Sequence, residues 1–272
     1  MDKNRKELIS ELEEKARRIR VLVVKMAGMS DCHTGGAMSI ADILSALYFH
    51  VMKVDPKDPK WDGRDYFILS KGHTVPALDA ALAIKGFFPE EAVTTHLQLD
   101  SIISGHACAK ATPGIDVSTG SLGHGLSTGV GTALGIRMDK ASNRVFVVLG
   151  DGELQEGSNW EAAMAASHYK LDNLVAIIDR NRYQTGPTEE MMSLEPLVEK
   201  WKSFGWGVRT IDGNDMEQVV DALGSIPFEK GRPSIIVANT IKGKGVSFIM
   251  NHHMDRFNDE SLKAALHELG EV

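Results

Sequence analysis

The chain has 272 residues, 43% hydrophobic and 25% charged, with a net charge of −7, the balance of an ordinary soluble globular protein able to bury one sizeable core. Lys and Arg are scattered under that negative charge, which argues against an extended nucleic-acid or anionic-membrane footprint but leaves room for local phosphate-holding spots. Two cysteines, Cys32 and Cys108, with no CxxC pair, fit a reducing compartment and supply neither a disulfide framework nor a zinc ligand set.

The N-terminal MDKNRKELISELEEKARRIR is charged throughout, unlike a signal peptide. The longest apolar runs are too short to cross a bilayer, so the expectation is a cytoplasmic protein. Leu8, Leu12, Ala16, Ile19, Val23 and Met26 recur every three or four residues, the spacing of one helical face. A second helical pattern covers Ser39 to Val51 and stops near Asp55-Pro56. YFIL at 66–69 reads as a short buried strand, and PALDAALAIKG as a helix with Pro76 in its first turn and Gly86 past its end.

Residues 105–125, GHACAKATPGIDVSTGSLGHG, read as a long loop, of the kind that is usually functional or mobile. A Gly/Ala-rich helix follows to about Lys140. Strands and helices then alternate: VFVVL, NWEAAMAASHY, LVAII, a helical stretch at 194–204, VRTI, DMEQVVDAL, SIIVAN and ESLKAALHEL. This alternation predicts an α/β fold, a parallel sheet with helices on both faces, in a single domain over 1–272.

In such sheets ligands sit beyond the carboxyl ends of the strands. Asp151, between two glycines after VFVVL, and Asn181, after LVAII, fall at those ends. A carboxylate, an amide oxygen and a nearby backbone carbonyl are hard donors suited to Mg²⁺ or Ca²⁺, and Mg²⁺ completes such a set with water and phosphate oxygens. Gly150 and Gly152 let backbone N–H groups approach a ligand closely. GDG alone is also a common turn after a strand; with the asparagine at this offset it reads as a metal-bridged diphosphate site.

GDG…N resembles the signature of thiamine-diphosphate enzymes, and GDGELQEGSNWEAA resembles the transketolase family in particular. The resemblance implies metal ligation by Asp151, Asn181 and the carbonyl of Tyr183, with Mg²⁺ replaceable by Ca²⁺ or Mn²⁺. It sets Gly152 against the diphosphate and Glu156 near a subunit boundary. Histidines in polar, glycine-bearing contexts, His33, His73, His106 and His252–His253, suit proton exchange with sugar hydroxyls. HTGGAMSIADIL, LSKGH and GHACAKATPGIDVSTGSLGHG follow the transketolase motifs in their usual order, over about residues 7–270. The resemblance thus implies catalytic roles for His33, His73, His106 and His253, with His252 the alternative to His253. It places His73, Gly120, Ser121, Leu122, Asn181, Lys242 and His253 on the cofactor. Lys242 and Lys244 in TIKGKG are equally readable as solvated loop charges. His124 stands where the family generally has glutamine, and Cys32 is given no redox role.

The implied reaction moves a two-carbon ketol unit between sugar phosphates, thiamine diphosphate carrying the difficult chemistry. The family's pyrimidine-binding module has no counterpart before Val272, so the expectation is the N-terminal half of a split transketolase. It would act only with a separately encoded C-terminal partner, in an α2β2 assembly. Other subunits of thiamine-diphosphate enzymes (2-oxoacid dehydrogenase E1α-like or deoxyxylulose-phosphate-synthase-like) and a non-catalytic scaffold are the alternatives. The donor stays open between xylulose 5-phosphate, apulose 4-phosphate and a sulfosugar.

Overall fold

In the computed structural model, which describes residues 3–252, 254 and 256–271, the apolar runs form β1 (Tyr66–Leu69), β2 (Val145–Gly150), β3 (Leu174–Arg180), β4 (Gly207–Asp212) and β5 (Ser234–Asn239). The α-helices are α1 (Lys3–Met29), α2 (Thr34–Met38), α3 (Ala41–Ala46), α4 (Val75–Lys85), α5 (Gly125–Met138), α6 (Gly157–His168), α7 (Thr188–Met191), α8 (Leu197–Ser203), α9 (Met216–Gly224) and α10 (Asp259–Glu268). The strands pair in the order β1-β2-β3-β5-β4, every pair parallel. Among the described residues no helix is long and apolar enough to cross a membrane.

Both faces of the sheet are covered, as continuous apolar strands require. Alternate residues of each central strand enter opposite cores, since side chains along a strand alternate in direction. Phe146, Val148, Val175 and Ile177 join the core built with α1, α3, α4 and α9. Val147, Leu149, Ala176 and Ile178 join the core of α5, α6 and α8, which contains Trp201 and Trp206. The sheet edge strand β4 is largely exposed, with Val208 packed on one core and Ile211 on the other.

Two expectations need correction. The segment Ser39–Val51 becomes helical only at Ala41, and a short helix, Thr34–Met38, precedes it. The chain breaks at Ser39–Ile40 because the Ser39 hydroxyl donates to Gly36 O at 2.9 Å and to the Asp179 carboxylate at 2.8 Å. After α3 the chain widens into a turn in which Met52 N–H reaches Leu47 O at 2.8 Å. The second correction is that β3 runs two residues past LVAII, which takes Asp179 and Arg180 into the strand.

The loop over 105–124 is irregular but tied down. Thr119 N–H donates to Ala107 O at 3.0 Å and its hydroxyl to Leu69 O at 2.6 Å. Gly72 permits this close pass, for a Cβ there would lie 2.6 Å from the Thr119 backbone.

Helix α4 carries a fully buried carboxyl, Asp79, neither of whose oxygens has a hydrogen-bond partner. Burial pushes its pKa well above the usual carboxylate range. Between the ordinary and the raised value the folded chain keeps a proton that the unfolded chain has shed. Stability therefore falls as pH rises through that window, by about 1.4 kcal/mol per pH unit. Asp79→Asn removes this loss. Thermal unfolding at pH 4 and pH 7 is expected to show near-equal stabilities at the lower pH and a more stable variant, by about 1.4 kcal/mol or more, at the higher.

Candidate active site

The register sets Gly150 beside Asp179 and Arg180 beside Asn239, so β2, β3 and β5 end almost level. Asp151 and Asn181 are the next residues out, as the sequence implied. Asp151 Oδ1 accepts from Gly152 N–H at 2.7 Å and the Thr188 hydroxyl at 3.3 Å. Its Oδ2 accepts from Arg182 N–H at 2.7 Å and Arg180 Nη1 at 3.0 Å. Asn181 Oδ1 accepts from Tyr183 N–H at 2.9 Å, while Nδ2 donates to Asp179 at 2.6 Å. Successive amides of one turn, which starts at Arg182 with a φ of 67°, thus hold the two acceptor side chains next to each other.

These residues line a cavity of about 370 Å³, within the size range of small-molecule and cofactor sites. Of the residues singled out in the sequence, His33, His73, Gly120, Leu122, Asp151, Gly152, Asn181, Tyr183 and Lys242 line it. The His33 and His73 rings meet edge-to-face with centroids 4.9 Å apart. His106 is exposed and its ring covers Gly120, 3.3 Å from where a Cβ would sit. Ser121 and Glu156 are exposed and outside the cavity wall; the Glu156 side chain packs on Gly123. His124 is exposed at the start of α5, and His252 is exposed with its carbonyl oxygen close to Gly35. His253 lies outside the described residues. Lys242 is buried, its Nζ donating to Gln184 O at 2.9 Å, which overturns the reading of it as a solvated loop charge. Gly35 lets it pass: a Cβ there would come within 2.9 Å of the Lys242 stem.

Three residues in the cavity wall or beneath it escaped sequence reading. Asp179, fully buried, accepts from Lys71 Nζ at 2.6 Å, from Ser39 and Asn181 as above, and from the Thr240 hydroxyl. Glu153 accepts from Gly123 N–H at 2.9 Å, Gly150 N–H at 3.0 Å and the Ser70 hydroxyl, and so ties the glycine-rich loop to β2; burial raises its pKa. Arg180 pairs with Asp151. Asp179 and Glu153 were signalled only as acidic residues beside motif positions, the lysine that pairs with Asp179 lay inside LSKGH, and nothing marked Arg180.

Burial, then the neighbouring Asp179, raise the Asp151 pKa against the pull of Arg180. A cation at this carboxylate would offset the desolvation. The described residues hold no group of three or more His, Cys, Asp or Glu suited to a metal. A cation here must take amide and carbonyl oxygens beside Asp151, which fits a hard ion and not zinc.

Residues 12–270 match the family described as transketolase, thiamine diphosphate binding domain. The chain belongs to that family. It is 45% identical over 265 residues to the 6-deoxy-6-sulfo-D-fructose transketolase subunit of Clostridium sp., covering 95% of this chain and 96% of the relative. It is 48% identical over 244 residues to an apulose-4-phosphate transketolase subunit of Phocaeicola vulgatus, covering 89% and 85%. Solved transketolases superpose closely: that of Leishmania mexicana with a TM-score of 0.89 at 29% identity, and that of Campylobacter jejuni with 0.88 at 30%. Each match covers 95% of this chain but only 41% and 42% of the solved chains. The chain is thus the thiamine diphosphate-binding part of a transketolase-type enzyme, and the sequence-predicted α/β fold stands.

His73 is a strongly perturbed base in the cavity wall. Burial first, then Lys71, His33, His106 and Lys242, lower its pKa to about 3. Lowering favours the neutral ring, so nitrogen-detected NMR is expected to find His73 neutral from about pH 8 down to about pH 5. A protonation midpoint near the ordinary value of about 6.5 would contradict this electrostatic picture.

Proposed function

We propose that the chain is the N-terminal subunit of a two-subunit transketolase, moving a two-carbon ketol unit from a ketose phosphate to an aldose phosphate. The observation that carries this reading is the meeting of Asp151, Asn181 and Tyr183 with His33 and His73 around one cavity. The Asp151, Asn181 and Tyr183 oxygens would hold Mg²⁺, or Ca²⁺ or Mn²⁺ in its place, and Lys242 and Gly152 would lie against the diphosphate. Gly120, Ser121 and Leu122 would pack on the cofactor, with Glu156 at the boundary with the partner. When bound, thiamine diphosphate supplies the carbon nucleophile that protein side chains lack.

The chain's own work is orientation and proton handling. A neutral His73 ring offers both an acceptor and a donor nitrogen, the form that can orient a sugar hydroxyl by hydrogen bonding. His33 against it, and His106 at the rim, extend the same capacity along a polyhydroxy substrate, with His253 a further candidate. The relatives named as subunits match most of this chain, which supports a second chain carrying the remainder; the α2β2 stoichiometry is our proposal. Their names also support a ketose donor bearing a phosphate or sulfonate group. We place the enzyme in the cytoplasm and treat residues 1–272 as one cofactor-binding domain.

The test is ketol transfer by the chain, by its co-purifying native partner, and by both mixed, across phosphorylated and sulfonated ketose donors. Only the mixture is expected to turn over. Asp151→Ala in the mixture is expected to lower kcat/KM by about a hundredfold or more, since it removes the charged ligand of the cation. Full turnover by the chain alone would refute the split-enzyme reading.

A further inference from the structure

Arg180 is the last residue of β3 and its side chain is 4% exposed. Its Nη1 donates to Asp151 Oδ2 at 3.0 Å, while Nη2 donates to Glu195 at 2.9 Å and to Glu189. Both glutamates are anchored in turn. The second oxygen of Glu189 accepts from the Ser193 hydroxyl at 2.7 Å and Leu194 N–H at 3.1 Å. The second oxygen of Glu195 accepts from Leu197 N–H at 2.9 Å. A planar guanidinium whose Nη2 is held between two anchored carboxylates presents Nη1 in one orientation.

We propose that Arg180 is a positioning residue, which commits Asp151 Oδ2 to the protein and leaves Oδ1 as the oxygen that meets the divalent cation. The inference rests on the cofactor reading above and deepens it. Oδ2 is filled by a charged donor and by Arg182 N–H at 2.7 Å, and a second cation there would face the guanidinium directly. Oδ1 has only the neighbouring Gly152 N–H and a long bond from Thr188 at 3.3 Å, so it is the oxygen with a replaceable partner. Glu189 and Glu195 make the arrangement tolerable. One guanidinium faces three carboxylates, so the cluster stays anionic and does not repel a divalent ion as a lone arginine would. The same bonds carry the position of Asp151 into the segment 188–197, outside the cavity wall.

Sign separates positioning from simple charge. Removing a cation beside a metal site by Coulomb's law alone tightens metal binding. Loss of positioning weakens it. The assay is Mn²⁺ affinity, by electron paramagnetic resonance with thiamine diphosphate present, on the chain co-purified with its native partner, with melting curves as the check on folding. Arg180→Met is expected to bind Mn²⁺ about tenfold more weakly despite the lost positive charge. Arg180→Lys keeps the charge but cannot bridge three carboxylates, and is expected to weaken binding severalfold. Unchanged or tighter binding in either folded variant overturns the proposal, and the lysine variant decides it should the methionine variant fail to fold. An unsubstituted complex that binds no Mn²⁺ overturns the cofactor reading itself, a result distinct from any difference between variants.

Discussion

The buried ion pair between Lys71 and Asp179 is the constraint on which the cavity depends. Taking both charges out of water costs several kcal/mol each, and their attraction offsets this only with good geometry and filled hydrogen-bonding capacity. Here the geometry is supplied. Lys71 Nζ also donates to Gly36 O at 2.9 Å, and the aspartate takes further donors from Ser39, Asn181 and Thr240. Those partners come from the α2–α3 junction, the turn after β1, the end of β3 and the residue after β5. One carboxylate therefore fixes the relative positions of four segments that line or underlie the cavity. It also fixes the Asn181 amide, because Nδ2 must face Asp179 and Oδ1 must then face the other way. Breaking such a pair by removing one partner costs about 3–5 kcal/mol, since the other charge stays buried.

The same lysine reaches the chemistry through space. Lys71 is the charge that most depresses His73, after burial, so the ion pair that builds the cavity also helps keep its imidazole neutral. The linkage has a cost on the acid side. Between pH 6.5 and about 3 the unfolded chain binds a proton at this histidine that the folded chain refuses, so stability falls as pH falls through that window. Asp79 acts in the opposite sense on the alkaline side of its ordinary value. The two buried groups oppose each other across the acid range, yet only the histidine sits where a substrate can use its protonation state.

The strands were legible because each is a continuous apolar run buried on both faces, and Asp151 and Asn181 were legible because their offsets from those runs are short-range facts. What escaped was decided by partners far away in the chain. The break at Ser39 follows from a hydrogen bond to Asp179, 140 residues on, which no helical periodicity contains. Lys242 was ambiguous in TIKGKG because its burial depends on Gly35 and on the Gln184 carbonyl. Arg180 carries no local mark at all. An arginine after a strand reads as a surface charge until Asp151, Glu189 and Glu195 are seen around it.

The residues read from family motifs divide by exposure, and the division has a physical meaning. Those expected at the diphosphate and the cation, Asp151, Asn181 and Lys242, are buried and hydrogen-bonded within the chain. Those expected toward the other end of the cofactor or the subunit boundary, His106, Ser121 and Glu156, are exposed. A diphosphate and its cation need desolvated, oriented donors, which one rigid sheet edge can supply alone. The organic end of a cofactor needs apolar enclosure on two sides, and in the proposed reading this chain would give it one wall of small residues and a histidine rim. Under the proposed split-enzyme reading, that asymmetry is what a pocket shared with a second chain would need: the charged end held by this chain, and the reactive end completed by the other.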